Sequence, residues 1–226
     1  MIYFVRHGAT AWNENRDENG NKNPRYQGRK DLSLNEKGIT QAKDVAQKLK
    51  EIKFDKVFCS PLKRAKETCE IISDDNIVFD DRIIERDFGE LTGKTKRDFD
   101  YAGFWNLSGK QDYNGAETIK DVEKRVFNFL DELKNDKDKN ILVVAHSGIG
   151  RVMMSYFYGV PEDGDYLKFD ISNGQAVLFD YDRVSSRDEA SLIVKDIKKD
   201  IIKKRTQLEV RHNLKDSKTN IVFGEN

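Results

Sequence analysis

Two of the three histidines, His7 and His146, stand in matching places along the chain. Each directly follows a short apolar run, residues 2–5 in one case and residues 141–145 in the other, and each precedes a glycine within two residues. A neutral imidazole is a nucleophile, and a protonated one binds anions. Arg6 adjoins His7, and Arg64 follows a third apolar run, residues 56–59. Guanidinium groups grip phosphate oxygens in a two-pronged fork. Glu85 comes after a fourth run, residues 77–79, within the stretch Glu85-Arg86-Asp87-Phe88-Gly89. A carboxyl beside a leaving group serves as a general acid, and Asp87 or Glu90 is an alternative to Glu85 for that role. Taken singly, each residue also has a plain reading: a structural histidine, a solvated helix arginine, a surface carboxylate. Together they supply a nucleophile, an anion clamp and an acid, which is the equipment for moving a phosphoryl group.

Those residues need elements to bring them together. The four apolar runs have the length and composition of buried strands. The run Ile-Leu-Val-Val-Ala at residues 141–145 is apolar throughout, as in a central parallel strand. Residues 176–179 form a late strand candidate. Residues 40–50 place Ala42, Val45, Ala46 and Leu49 on one helical face. Pro61 marks the start of a second helix, with Leu62, Ala65, Cys69 and Ile72 along its stripe. Residues 118–133 carry Ile119, Val122, Val126, Leu130 and Leu133 at helical spacing, with Thr118 and Asp121 as a capping pair. Residues 150–158 are a further helix candidate. Residues 9–33 read as a long polar loop of the kind that binds ligands or closes over them. Strands alternating with helices define an α/β class with a mostly parallel sheet, and ligands bind such sheets at the carboxyl ends of the strands.

The bulk numbers narrow the function classes. Hydrophobic residues make up 37% of the 226 and charged residues 35%, enough for one core. Forty basic side chains balance forty acidic ones, so no global pull on nucleic acid or an anionic membrane surface is expected. Two cysteines, Cys59 and Cys69, make neither a disulfide framework nor a zinc cluster. The start of the chain lacks the shape of a signal peptide and no apolar run is long enough to span a bilayer, so a cytoplasmic protein is expected. The texture changes near Arg183. Residues 183–226 hold 11 basic and 7 acidic residues, with Ile193, Ile197 and Ile201 four apart. The chain therefore divides into a domain over residues 1–182 and a basic, helical extension over residues 183–226.

Six segments, in order, resemble the histidine phosphatase superfamily, the phosphoglycerate-mutase-like proteins. They are Val5-Arg6-His7-Gly8-Ala9-Thr10 with Trp12-Asn13; Arg25-Tyr26-Gln27-Gly28-Arg29 with Leu32-Ser33-Leu34 and Gly38; Cys59-Ser60-Pro61-Leu62-Lys63-Arg64-Ala65; Glu85 to Gly93; Gly115-Ala116-Glu117-Thr118; and Val144-Ala145-His146-Ser147-Gly148. Arg-His-Gly alone is a weak signal, whereas six motifs in order are specific. The resemblance covers residues 1–180. It implies a three-layer α/β/α fold around a mixed six-stranded sheet with one antiparallel strand. It implies phosphorylation of His7 and a phosphate pocket of Arg6, Arg64 and His146. Asn13 assists, Gln27 and Gly28 lie in the substrate loop, Ser147 follows the second histidine, and Glu85 is the proton donor. No metal and no other cofactor is implied. Two positions depart from the family pattern: Thr92 stands where a second glutamate is frequent, and Ser147 where mutase-like members often carry glycine.

The expected reaction starts with attack of neutral His7 on phosphorus, its other ring nitrogen held by a backbone carbonyl. Arg6, Arg64 and a protonated His146 neutralise the oxygens. Only 61 positions separate Glu85 from His146, and they hold no adjacent arginine pair. By resemblance this favours a phosphatase acting on a small phosphorylated metabolite over a mutase, with Arg29, Lys94, Lys96, Trp105 and Tyr113 as candidates at the mouth. Other classes fit less well. A cysteine phosphatase needs five residues between cysteine and arginine, and four lie between Cys59 and Arg64. A metal hydrolase would show His-x-His or His-Glu-x-x-His spacing, which does not occur. A non-catalytic binding module would have little reason to keep every position filled. For the extension, packing on its own domain is the leading reading and a homodimer contact the weaker one.

Overall fold

The computed structural model describes residues 1–181. Its sheet is built from β1 (Ile2–Arg6), β2 (Lys56–Cys59), β3 (Ile77–Phe79), β4 (Ile141–Ala145) and β5 (Ala176–Phe179) in the order β3-β2-β4-β1-β5. The β3–β2, β2–β4 and β4–β1 pairings are parallel, and β5 runs antiparallel to β1. The described residues thus hold five strands, where the family resemblance implied six. The mixed character with a single antiparallel strand is as expected.

Side-chain alternation builds two cores from one sheet. Val5, Val57, Cys59, Leu142 and Val144 face helices α1 (Glu36–Leu49) and α2 (Lys63–Ile72), meeting Val45, Leu49, Ala65 and Cys69. Ile2, Phe4, Phe58, Ile141, Val143 and Ala145 face the other way. There they pack on α4 (Ile119–Leu133) and α5 (Ser147–Tyr158), through Val126, Phe129, Leu130, Ile149 and Met153. A short helix, α3 (Tyr101–Phe104), precedes α4. The result is a three-layer α/β/α arrangement. β4 is buried at all five positions because it has strands on both sides and helices on both faces, which is why its sequence lacks polar residues.

The helix boundaries show which signals outweigh apolar periodicity. α1 begins at Glu36, four residues before the stripe at residues 40–50 suggests, because Asn35 Oδ1 accepts the Gly38 backbone N–H at 2.8 Å and caps the first turn. α5 likewise begins at Ser147 rather than residue 150, directly after β4. Pro61 does not open α2: Leu62 is the cap and Lys63 the first helical residue, so the proline belongs to the extended exit from β2. The capping pair at α4 is present, with Thr118 Oγ1 accepting the Asp121 N–H and Asp121 accepting the Thr118 N–H. The polar stretch at residues 9–33 is loop apart from one short turn of 3-10 helix, Ala11–Glu14. The basic extension at residues 183–226 lies outside the described residues.

Candidate active site

The parallel strands end at one edge of the sheet, since Arg6 is in register with Ala145 and Cys59 with Val144. His7, Ser60 and His146 therefore leave the sheet side by side. The His7 N–H donates to the Ala145 carbonyl at 2.9 Å and the Ser60 N–H to the Val144 carbonyl at 3.0 Å. The two imidazole centroids lie 5.1 Å apart, although 138 residues separate them in sequence.

His7 is buried, and its Nδ1–H donates to the Gly8 carbonyl at 2.6 Å. That bond holds the tautomer whose Nε2 carries the lone pair. Arg64 Nε donates to that atom at 3.2 Å, consistent with the same tautomer. Burial, then Arg64 and Arg6, pushes the His7 pKa well below the ordinary imidazole value, so the ring is neutral at neutral pH. Arg64 is itself buried and anchored through Nη1 to the Lys30 carbonyl and through Nη2 to the Gly28 carbonyl, both at 2.8 Å. Gly28 holds φ at +49° with Phe88 packed where a Cβ would stand, so the loop bends there and turns its carbonyl to Arg64. Arg6 Nη1 donates to the Ile171 carbonyl at 2.7 Å. Burial lowers the pKa of Arg6 and of Arg64 to about 10, which leaves both charged.

His146 is subject to the same surroundings as His7. Burial, together with Arg64, His7 and Arg6, pushes its pKa well below the usual value, so it is neutral in the free site rather than protonated. Its Nε2 meets Ser60 Oγ at 2.6 Å. Ser60 Oγ also accepts the Leu62 N–H at 3.4 Å. With the Ser60 hydroxyl donating to Nε2, the His146 proton sits on Nδ1, a buried atom with no partner within the described residues. A neutral His146 still offers an N–H to an anion.

Glu85 lies against the first turn of α5. Its Oε1 accepts the Arg86 N–H at 2.9 Å and its Oε2 the Gly148 N–H at 3.3 Å. Gly148 makes room for this contact: a Cβ there would stand 2.4 Å from Glu85 Oε1 and 2.8 Å from the Trp105 ring, so the carboxylate would have to shift. Asp87 and Glu90, the alternative acids, are turned away: Asp87 lies 3.7 Å from Arg29, and Glu90 accepts the Asn114 N–H. Asn13 Oδ1 accepts Thr10 N–H and Oγ–H at 3.0 and 3.1 Å, leaving its amide N–H groups unspent.

A cleft of about 210 Å³ is lined by Arg6, His7, Asn13, Gln27, Gly28, Arg64, Glu85 and Ser147 among others, while His146, buried beside His7, is not part of that lining. The N-terminus of α5, through Ser147 and Gly148, adds the positive end of a helix to one wall. Four polar atoms of the site, Arg6 Nε, Gln27 Oε1, Trp105 Nε1 and His146 Nδ1, are buried without a partner. Buried polar groups are nearly always satisfied, so such a cluster marks a place that completes its bonds with water or a ligand.

The expected site residues are thus brought together, with differences at the mouth. Trp105 is both core and cleft wall. Arg29 is engaged by Glu117 and Asp87, Tyr113 packs on Phe99 and Phe104, and neither they nor Lys94 and Lys96 line the cleft. The cleft also holds Arg25 and Tyr26 of the substrate-loop motif, and Tyr101 and Arg151, to which no role was assigned from sequence. Arg151 lies four residues after Ser147, so a helix start placed at Ser147 would have put it on the same face. Cys59 is buried and bonded to its own strand end, its thiol pKa pushed up by Cys69 and burial, as suits a structural residue. Among the described residues no group of three or more His, Cys, Asp or Glu is placed to hold a metal ion, and no helix is long and apolar enough to cross a membrane.

This geometry has counterparts. The sequence profile of the histidine phosphatase superfamily (branch 1) matches residues 2–187. A putative phosphoserine phosphatase 2 of Hydrogenobacter thermophilus is 30% identical over 176 residues, covering 70% of this chain and 79% of that protein. A 2,3-bisphosphoglycerate-dependent phosphoglycerate mutase of Mesorhizobium japonicum is 31% identical over 195 residues, covering 79% and 90%. The crystal structure of a phosphoserine phosphatase of Entamoeba histolytica superposes with a TM-score of 0.64 at 28% identity, over 77% of this chain and 87% of that one. A strand-end histidine with a fixed tautomer, two arginines against it and a match along most of the chain lead to one assignment: the chain belongs to the histidine phosphatase superfamily, and its chemistry is phosphoryl hydrolysis or transfer of that kind.

Proposed function

We propose that the protein is a phosphomonoester hydrolase that works through a phosphohistidine at His7, without a metal, on a small phosphorylated metabolite. The observation that carries this reading is the His7 tautomer: Nδ1–H is spent on the Gly8 carbonyl, so Nε2 keeps the nucleophilic lone pair, which accepts the Arg64 Nε–H in the free site. In the first step Nε2 bonds to phosphorus as the ester P–O bond breaks, and Glu85 gives its proton to the departing oxygen. In the second, Glu85 takes a proton from water as the water oxygen bonds to phosphorus and the P–N bond breaks. Arg6, Arg64, Asn13 and the Nδ1–H of His146 meet the charge on the transferred group, so guanidiniums supply what a cation would. Ser60 acts through His146 by holding its tautomer.

Hydrolysis is favoured over mutase chemistry by what the segment between Glu85 and His146 contributes to the cleft. It supplies Phe88, Tyr101 and Trp105 and no basic side chain, so nothing there is built to retain a second phosphorylated acid while water is kept out. The test is phosphate release from a panel of monoesters in excess EDTA by the wild type and His7→Ala. Release that persists in chelator and falls by at least about 10³-fold in His7→Ala is expected. Equal release by both proteins, or activity only with added metal, would overturn the reading.

A further inference from the structure

Four hydrogen bonds run in a closed ring through His7 and Arg64. The His7 Nδ1–H donates to the Gly8 carbonyl at 2.6 Å. The Gly8 N–H donates to Thr68 Oγ1 at 3.1 Å, and the Thr68 hydroxyl donates to the Arg64 carbonyl at 2.7 Å. The Arg64 side chain closes the ring, its Nε donating to His7 Nε2 at 3.2 Å. Thr68 is fully buried on α2 and does not line the cleft.

Both functions of the Thr68 hydroxyl are spent. Its proton goes back one turn of α2 to Arg64, a common habit of threonine in helices, while its oxygen takes an N–H from a different element. Thr68 therefore ties the segment after β1, which carries His7, to the turn of α2 that carries Arg64. The peptide unit between His7 and Gly8 is held at both ends. Its oxygen accepts Asn173 Nδ2–H at 3.1 Å and the Gly174 N–H at 3.2 Å, and its N–H is the group that Thr68 takes. The first turn of α1 closes a further side, since a Cβ on Gly8 would stand 2.2 Å from the Gly38 carbonyl oxygen. The orientation of this peptide sets where the Gly8 carbonyl points, and that carbonyl sets the His7 ring. A valine at 68 would fill the same space, so the hydroxyl, rather than the shape, is what the ring uses. Without it the Gly8 N–H is buried and unpaired, and the peptide gains by turning to find another acceptor.

We propose that Thr68 is a positioning residue for phosphoryl transfer: through the Gly8 peptide and the Arg64 backbone it holds His7 Nε2 and the Arg64 fork at one spacing, without touching the substrate. The inference rests on the reading of His7 as nucleophile, and the experiment keeps the two apart. The full chain, Thr68→Val and Thr68→Ser would be compared in two ways. Steady-state hydrolysis of p-nitrophenyl phosphate gives kcat and KM. Nitrogen NMR of histidine-labelled protein without ligand gives the tautomer of the His7 ring, with only three histidines to assign. Thr68→Val is expected to lose about thirtyfold in kcat with KM within about twofold of the wild type, because a small misplacement of reacting groups costs that order. Its His7 ring is expected to lose the single Nδ1–H form of the wild type. Thr68→Ser restores the hydroxyl and is expected to keep that form and a kcat within about threefold of the wild type. A wild-type kcat in Thr68→Val would overturn the proposal, and so would an unchanged ring signal. Thr68→Ser as impaired as Thr68→Val would overturn it too, by assigning the position to packing of the methyl group. A loss expressed in KM alone would make the effect one of binding and likewise overturn it. Should Thr68→Val not fold, Thr68→Cys, whose thiol is a weak acceptor, takes its place under the same criteria. A wild type that hydrolyses no ester would fail the hydrolase reading, while the ring signal still decides whether Thr68 sets His7.

Discussion

A neutral imidazole attacks through the nitrogen without a proton, so the value of His7 and His146 depends on which nitrogen that is. The Gly8 carbonyl decides it for His7, and for His146 the proposed tautomer requires the Ser60 hydroxyl to donate to Nε2. Ser60→Ala removes the second anchor and leaves a buried ring nitrogen unpaired. A fall in kcat of about tenfold is expected, with much of it restored in Ser60→Thr, measured as steady-state phosphate release. Loss of activity without rescue by threonine would assign Ser60 to folding rather than positioning. His7, Arg64, Glu85 and His146 were legible in the sequence because their types and strand-end places are rare in combination. Arg151 was not, because an arginine inside a helix looks like a solvated one until tertiary contacts bury it. The depressed pKa of His146 in the free site was not legible for a related reason. A sequence shows an imidazole near phosphate-binding groups, but desolvation and the nearby Arg64 only exist once the chain is folded.

Elements set the distances. β1, β2 and β4 end level with one another, and α5 starts with no loop between it and β4, so its first turn meets Glu85. Gly148 makes that approach feasible. Gly148→Ala removes a helix-weakening residue, yet its Cβ would overlap Glu85 Oε1 and stand 2.8 Å from the Trp105 ring. The expected outcome is a fall in kcat of roughly a hundredfold, because even about 1 Å of displacement of an acid costs that much. An unchanged kcat would remove Glu85 from the proton-transfer step. The starts of α1 and α5 were misplaced from sequence by three or four residues. Apolar periodicity reports the buried stripe of a helix, whereas Asn35 and His146 begin their helices through local hydrogen bonds and chain direction.

At the scale of the molecule, the enclosed histidines tie stability to pH. His7 and His146 have pKa values well below 6.5 when folded and regain ordinary values when unfolded. Below that value the unfolded chain binds protons that the folded chain refuses, so stability is full above pH 6.5 and falls as pH drops toward the depressed values. Two such groups give a limiting slope of about 2.7 kcal/mol per pH unit. Urea denaturation at pH 7.5 and 5.5 should show this loss, and His7→Gln should lessen it. A wild type equally stable at both pH values would mean that the rings are not enclosed as described. The sequence by itself pointed to the class of chemistry and to an α/β fold with a mostly parallel sheet, the three-layer arrangement coming with the family resemblance: strand-length apolar runs alternating with helical stripes permit few arrangements, and a parallel sheet must deliver its strand-end residues to one edge. Tertiary structure alone decided the depressed pKa of His146 in the free site, the placing of Glu85 in the cleft with Asp87 and Glu90 outside its lining, the exclusion of Lys94 and Lys96, and the presence of Arg151 within it. Each of these depends on which groups share an enclosed space, and burial and proximity between segments distant in sequence are properties of the packed chain.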